Sequence, residues 1–394
     1  MVFSAPGQIA QLVEQWTENP CVAGSIPALS TSACSPEPSV ALFPLPTTRR
    51  RFSAAVAALV ASRGLAARGG ALPPPIKLGQ IGVSHAHATK LSVYRESADY
   101  EVVGIVEPNP DLRAKAEQHP AYRGLPWLTR EQLLATPGLQ TVLVETAVRD
   151  SLQEAEAVVA AGKHLHLDKP AGESLPQFER ILAAADRQGL MVQLGYMYRY
   201  SPAVVMLREL LAKGWLGEVF EVHAVMSKVV PPSDRLGLAA YPGGIMFELG
   251  CHVLDLVIGV LGKPAKVSGV DAQVVEADGL RDNMLAVLEY PKAIATVKSS
   301  AVEVEGFARR QLVVCGTEGT FHIQPLDNPS ARLALSEPRG SYAAGLQDIT
   351  FPRFPRYVAD AADMAAVIRG EKADDFPSSH ELIVQQTLLA ACGL

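Results

Sequence analysis

From residue 76 onward the chain alternates short, continuous apolar runs with segments of helical period. Residues 76–83 (IKLGQIGV) and 100–106 (YEVVGIV) are largely apolar and flank a helical stretch at 86–96. An apolar run without strict alternation marks a strand covered on both faces, as in a parallel sheet. Strand, helix and strand within about thirty residues form a βαβ unit, which needs a parallel pair and a right-handed crossover. The alternation continues through helices at 110–118 and 129–135, a strand at 141–145, a helix at 151–161, a strand at 164–167, a helix at 175–188 and a strand at 190–194. The expected fold class is therefore α/β, opening with a doubly wound parallel sheet that binds ligands at the carboxyl ends of its strands. After residue 216 the pattern is strand-rich, with runs at 218–230, 265–275, 283–290, 293–302, 311–315 and 320–323. It closes on helices at 356–368 and 380–391, and residues 326–345 read as a loop.

Composition narrows the class. At 394 residues, 48% hydrophobic and 19% charged, the chain can build two packed domains and is not disordered throughout. Lys and Arg total 35 against 41 Asp and Glu, and a net charge of -6 lacks the basic field that nucleic-acid binding needs. Apolar stretches are interrupted before the roughly 18 residues of a membrane helix, so no membrane span is expected. Five cysteines without a CxxC pair give neither a zinc module nor a disulfide framework.

Residues 1–75 differ from the rest: they hold 10 of the 29 prolines, no Lys and no Asp, and no sustained period. Residues 8–30 resemble the conceptual translation of a transfer-RNA gene, which makes 1–47 a mis-called leader; an ordinary disordered tail is the other reading. Thr48-Arg49-Arg50-Arg51-Phe52 and the short apolar run after it resemble a twin-arginine export signal over 48–75, implying a periplasmic or exported protein. A basic linker or an organellar transit peptide is the alternative, and without a signal the protein is expected in the cytoplasm. The expected organisation is thus 1–47 leader, 48–75 signal or linker, 76–195 nucleotide-binding domain and 196–394 α+β domain.

The chemistry-bearing residues cluster at strand ends. The turn after the first strand, Gly82-Val83-Ser84-His85-Ala86-His87, keeps only the first glycine of a GxGxxG dinucleotide fingerprint. Glu107 ends the second strand 25 residues later, near the spacing of a carboxylate on the adenosine ribose, and it would repel a 2'-phosphate; NAD is expected over NADP. His85 and His87 are placed either to reach cofactor phosphates or to cap the following helix. Asp168-Lys169-Pro170 follows an apolar strand, so Lys169 points toward the crevice where a nicotinamide would lie. Glu248, His252 and Asp255, at i, i+4 and i+7, are expected on one helix face, with His252 suited to accept a hydroxyl proton. That set also reads as a structural pair or, lacking an identifiable third ligand, less readily as a metal site.

From residue 76 to the end the chain resembles the glucose-fructose oxidoreductase / inositol dehydrogenase (Gfo/Idh/MocA) family. Asp168-Lys169-Pro170 stands where that family has Glu-Lys-Pro, after its AAGKH lead-in. Residues 196–202 (YMYRYSP) resemble its Asn-Tyr-Arg-Phe-x-Pro segment, and residues 243–255 (GGIMFELGCHVLD) its GGxxxDxGxHxxD motif with Glu248 for the first Asp. The resemblance implies an N-terminal Rossmann domain and a C-terminal α+β domain with an open, mainly antiparallel sheet. One face of that sheet would pack on the catalytic helix and the other would make dimers or tetramers. It implies catalytic Lys169, Glu248 and His252, a cofactor site from Gly82, Ser84, His85, Glu107, Thr146, Asp168 and Lys169, substrate contacts from Tyr196, Arg199 and Asp255, and no metal. The expected activity is NAD-dependent oxidation of a secondary hydroxyl on a sugar or cyclitol. An NAD-dependent glycosidase using transient oxidation and a non-catalytic NAD-binding sensor are the alternatives.

Overall fold

The structure, a computed structural model, describes residues 73–394. The leader and export-signal readings fall almost wholly on residues 1–72, outside the described residues. Strands β1 (Ile76–Ile81), β2 (Tyr100–Val106), β3 (Leu139–Val144), β4 (His164–Leu167) and β5 (Val192–Leu194) pair in parallel in the order β2-β1-β3-β4-β5. The order reverses at β1, between β2 and β3, which opens a crevice at the carboxyl ends of these strands. Between them run α1 (Leu91–Glu96), preceded by a tight turn at Ala88–Lys90, then α2 (Pro110–Ala116), α3 (Arg130–Leu134), α4 (Val148–Ala160) and α5 (Leu175–Gln188). Helix α5 shows how the sequence sets its limits. Ser174 accepts the Gln177 amide at the start, Pro176 sits in the first turn, and Gly189 ends the helix at φ 64°.

The second half begins with α6 (Pro202–Ala212), β6 (Val219–Ser227), α7 (Pro232–Ala239) and α8 (Cys251–Leu261). Strands β7 (Lys266–Ala272), β8 (Asn283–Glu289), β9 (Ile294–Ser300), β10 (Gln311–Gly316), β11 (Gly319–Ile323), β12 (Ser330–Leu335) and β13 (Gly345–Thr350) complete an eight-stranded sheet in the order β13-β12-β11-β10-β6-β9-β8-β7. Its pairs are antiparallel except β6 with β9. The supposed loop at 326–345 contains β12 and leads into β13, so that reading is corrected. The inner face of the sheet, with Val222, Ala224, Met226, Ala295 and Val297 fully buried, shares one core with α8.

The chain ends in α9 (Val358–Ile368) and α10 (Ser378–Cys392). Helix α9 returns to the first sheet: Ala361, Met364 and Ala365 are buried with Ile76, Leu78, Tyr94 and Tyr100. The Tyr100 hydroxyl donates to the Ala361 carbonyl at 2.7 Å, and Arg369 pairs with Asp99 at 2.6 Å.

Candidate active site

The first strand delivers a loop that admits only glycine at its start. Gly82 has φ +87°, and a Cβ there would stand 2.5 Å from Thr146 Cγ2 and 2.7 Å from the Thr146 nitrogen. The Glu107 carboxylate pins the loop, accepting the Val83 amide at 3.2 Å and the Asn109 amide at 2.9 Å. The His85 amide donates to the Glu145 carbonyl, while the amides of Ser84 and Ala86 find no acceptor among the described residues. Thr146 Oγ1, at the carboxyl end of β3, is buried without a partner. An exposed Ser84, two free amides, an orphaned hydroxyl and a carboxylate ending β2 together fit a dinucleotide. Gly82, Ser84, Glu107 and Thr146 thus lie together where the sequence puts a cofactor.

Asp168 does not join them. It is 3% exposed and forms the hub of a buried cluster, where its carboxylate accepts from Lys90 Nζ at 2.7 Å and from the Lys169 amide at 2.7 Å. His85 Nδ1 and His87 Nδ1 lie 3.1 and 3.2 Å from it. Lys90 Nζ also stands 2.8 Å from Glu145 Oε1 and 2.7 Å from His166 Nε2. Burial costs Lys90 some of its charge, but Asp168 and Glu145 more than offset this and raise its pKa. Burial pushes the Glu145 carboxyl up to about 8 despite Lys90, so it holds its proton through neutral pH. Burial opposes the Asp168 charge too, yet His85 and Lys90 hold that carboxyl well below the usual range. His166, lowered to about 3 by burial and Lys90, is neutral; the network assigns its Nδ1 proton to Gln193 Oε1 at 2.9 Å. Glu145, His166 and Asp168 lie close enough to share a metal ion, and the Lys90 ammonium lies within 2.8 Å of all three. His85 and His87 turn inward, and at the turn before α1 the His87 amide donates to His85 Nδ1 at 3.2 Å.

Lys169 leaves β4 two residues after the strand and crosses to the second domain. Its ammonium donates to the Glu248 carbonyl at 2.8 Å and lies 3.3 Å from Glu248 Oε1. Burial works against this charge, but Glu248, with Cys251 and Asp168, more than offsets it and the Lys169 pKa is raised. Burial opposes the Glu248 charge as well, but Lys169, with His85, Lys228 and His87, more than offsets it and lowers the carboxyl pKa. Glu248 lies in a π-helical turn, Met246–Gly250, that leads into α8. Such a turn inserts extra backbone and changes which residues share a face. The π turn changes the register of Glu248 relative to the helix, while His252 and Asp255 both lie within α8, and the three meet different partners.

His252 packs edge-on against Tyr198 at 5.3 Å between ring centres, with Tyr196 at 6.1 Å and His87 at 6.5 Å. It is 5% exposed, and its Nδ1 is buried without a partner. Burial first, then Lys169 and His87, hold its pKa well below 6.5, so the ring is neutral at physiological pH. Tyr357, at φ 67°, brings its ring within 5.8 Å of His87 and under Lys90. Tyr196 is buried and contributes a wall to this space.

Arg199 and Asp255, expected at the substrate, bind each other instead. The Arg199 guanidinium meets Asp255 through Nε at 3.0 Å and Nη2 at 2.6 Å, and Glu381 of α10 through Nη1 and Nη2 at 2.7 and 2.6 Å. His380 Nε2 lies 3.1 Å from Asp255 as well. This buried clamp fixes the 196–200 turn against α8 and α10, and so positions Tyr196, Tyr198 and His252. The sequence reading had not marked Lys90, Glu145, Tyr198 or Tyr357. Lys90 and Glu145 carried a usable signal, since each is a charge next to an apolar run that folding must bury.

Comparisons agree with this architecture. Residues 76–196 match the family described as oxidoreductase family, NAD-binding Rossmann fold, and residues 204–322 match the GFO/IDH/MocA C-terminal domain. The uncharacterized oxidoreductase YdgJ of Escherichia coli K12 is 24% identical over 340 residues, spanning 79% of this chain and 94% of YdgJ. Bovine trans-1,2-dihydrobenzene-1,2-diol dehydrogenase is 27% identical over 210 residues, 52% of this chain and 62% of that enzyme. The solved structure of GenD2 from gentamicin A biosynthesis, in complex with NAD, superposes with a TM-score of 0.67 at 22% identity, covering 83% of this chain and 96% of GenD2. At that identity the likeness speaks for the fold. Among the described residues no helix is long and apolar enough to cross a membrane.

Proposed function

We propose that this chain, which belongs to the Gfo/Idh/MocA family of oxidoreductases and carries its NAD-binding Rossmann domain, oxidises a secondary hydroxyl of a sugar or cyclitol. The observation that carries this reading is the pairing of a charged Lys169, held against Glu248, with a neutral His252 in one aromatic-walled space. A secondary alcohol loses a proton from oxygen and a hydride from carbon. Lys169 would donate to the substrate oxygen and stabilise the negative charge that grows there. His252, neutral and with an unpaired ring nitrogen, would take the proton. Bound nicotinamide supplies the hydride acceptor. Glu248 would keep Lys169 charged and aimed. Gly82, Ser84, Glu107 and Thr146 would hold the dinucleotide, and a carboxylate at Glu107 favours NAD over NADP.

Two finer readings accompany it. The outer face of the eight-stranded sheet would join two or four copies, which light scattering tests. The Arg49-Arg50 segment would direct export, tested by fusing residues 48–75 to a reporter that needs the twin-arginine route. For the activity itself, the test is a panel of polyols with NAD, followed at the nicotinamide absorbance band, using the wild type and Lys169→Met. Turnover of at least one polyol and its loss by about a hundredfold or more in K169M are expected, the effect of removing a donor to developing negative charge. Full activity in K169M would end this mechanism.

A further inference from the structure

We propose that the substrate is an anionic polyol, a sugar acid whose carboxylate binds Lys228. The inference rests on the dehydrogenase reading above and narrows its substrate class.

Lys228 directly follows β6, and the backbone there is tightly fixed. The Ser299 hydroxyl can bond the Met226 carbonyl at 2.8 Å and the Ile245 carbonyl at 3.3 Å, tying the ends of β6 and β9 to the segment that carries Glu248. The Lys228 amide donates to the Ser300 carbonyl at 3.0 Å, and Arg310 Nε donates to the Ser227 carbonyl at 3.2 Å. Gly306 lies so close over the Ser227–Lys228 peptide that a Cβ there would come within 2.8 Å of Ser227 and 2.9 Å of the Lys228 nitrogen. Three segments thus hold the root of this side chain beside the catalytic turn.

The charges that act on the half-buried Lys228 ammonium are Glu248, Lys169, Arg310 and Asp234. None of the nearby carboxylates bonds it. Glu248 pairs with Lys169. Asp327 is shared by Arg310 at 3.1 Å, Arg356 at 2.6 Å and the Tyr198 hydroxyl at 2.7 Å. Asp234 accepts from Ser233, and no ion pair within 4.0 Å joins it to Lys228. Among the described residues the Lys228 ammonium has no hydrogen-bond or ion-pair partner. One carboxylate for two guanidinium groups at Asp327, and none for Lys228, leave this wall of the site with surplus positive charge. Arg310 also acts on His252, so the surplus faces the reacting end. A half-buried ammonium with no bonded counter-ion is disfavoured, and a carboxylate in the ligand offsets that. A neutral polyol leaves the ammonium unanswered.

The test uses the enzyme with saturating NAD and matched pairs: glucose with glucuronate, galactose with galacturonate, mannose with mannuronate. Initial rates of NADH formation give kcat/KM for each. The wild type should favour the acid in at least one pair by about tenfold or more, the weight of a charge-assisted hydrogen bond. In Lys228→Met that acid-to-neutral ratio should collapse by a similar factor, mostly through KM of the acid, and Lys228→Arg should keep part of it. Equal or better turnover of the neutral members by the wild type overturns this proposal alone, as does a K228M variant that keeps the ratio. NAD reduction by no member of any pair overturns the dehydrogenase reading, and this inference with it.

Discussion

Replacing Lys90 with methionine removes the single ammonium that contacts Asp168, Glu145 and His166 within 2.8 Å. Methionine fills much of the same volume, so the loss is mainly electrostatic. The His85 and His87 rings would remain beside Asp168, and the His166 Nε2 acceptor would be left buried and unpaired. Breaking a buried pair in this way costs about 3–5 kcal/mol. For a folded region of this size that corresponds to a drop in Tm of about 4–7 °C at pH 7. The pH dependence is the sharper test. Glu145 has a raised pKa of about 8, so between its unfolded value and 8 the native state holds a proton that the unfolded state releases, and stability falls as pH rises. In the wild type this decline ends near pH 8, where Glu145 ionises beside Lys90. In K90M the carboxyl has lost its ammonium and stays protonated further up, so the decline continues. The deficit of K90M relative to wild type should be flat below pH 8 and grow by about 1.4 kcal/mol per unit above it. The double variant K90M/E145Q cannot make that transition, and its deficit relative to an E145Q control should stay flat. Thermal unfolding from pH 6 to 9.5 measures all four proteins. A K90M deficit under about 1 kcal/mol, or one that does not grow above pH 8, would refute the assignment of Lys90 as the buried counter-cation.

Three further outcomes are expected. Gly82→Ala must place a methyl 2.5 Å from Thr146 Cγ2 at a φ of +87°, and should weaken NAD binding by about tenfold or more in a calorimetric titration; unchanged affinity would separate this turn from the cofactor. Arg199→Met should cost about 3–5 kcal/mol by leaving Asp255 and Glu381 buried without their cation, yet leave the substrate KM of the remaining folded enzyme near its wild-type value. A raised KM with unchanged Tm would restore a substrate role for Arg199. Because a general base works when deprotonated and the His252 pKa lies well below 6.5, kcat/KM should be level from pH 6.5 upward through neutrality and fall only in more acid solution. An acid limb centred above 6.5 would assign the base elsewhere.

How much of this was legible beforehand differs by element. Helix 175–188 is read to the residue because its limits are local: a serine cap, a proline in the first turn and a glycine at positive φ. Strands β2 and β4 are read as cleanly because β2 carries the apolar run VVGIV and β4 follows a glycine that ends the preceding helix. Strand β13 at the sheet edge is mostly exposed and polar, and β12 alternates over only six residues, so neither stands out from loop. Lys169, Glu248 and His252 were visible through their motifs and do lie close together. What each touches was not visible, since Lys169 comes from a strand end 79 positions before Glu248 and a π turn alters the register of Glu248. The Arg199–Asp255–Glu381 clamp joins residues up to 182 positions apart, which no local pattern reports.

The return of helix α9 to the first sheet has a consequence for how the protein is made. Ala361, Met364 and Ala365 complete the core that Ile76, Leu78 and Tyr100 begin, so the nucleotide-binding half cannot seal its hydrophobic interior until nearly the whole chain has left the ribosome. A nascent chain arrested before residue 358 would expose an apolar face of that half for the time needed to translate the entire eight-stranded sheet, at roughly 5–20 residues per second. Its N-terminal half should therefore be a holdase client during synthesis, and a truncation that stops after β13 should be recovered bound to chaperone or aggregated.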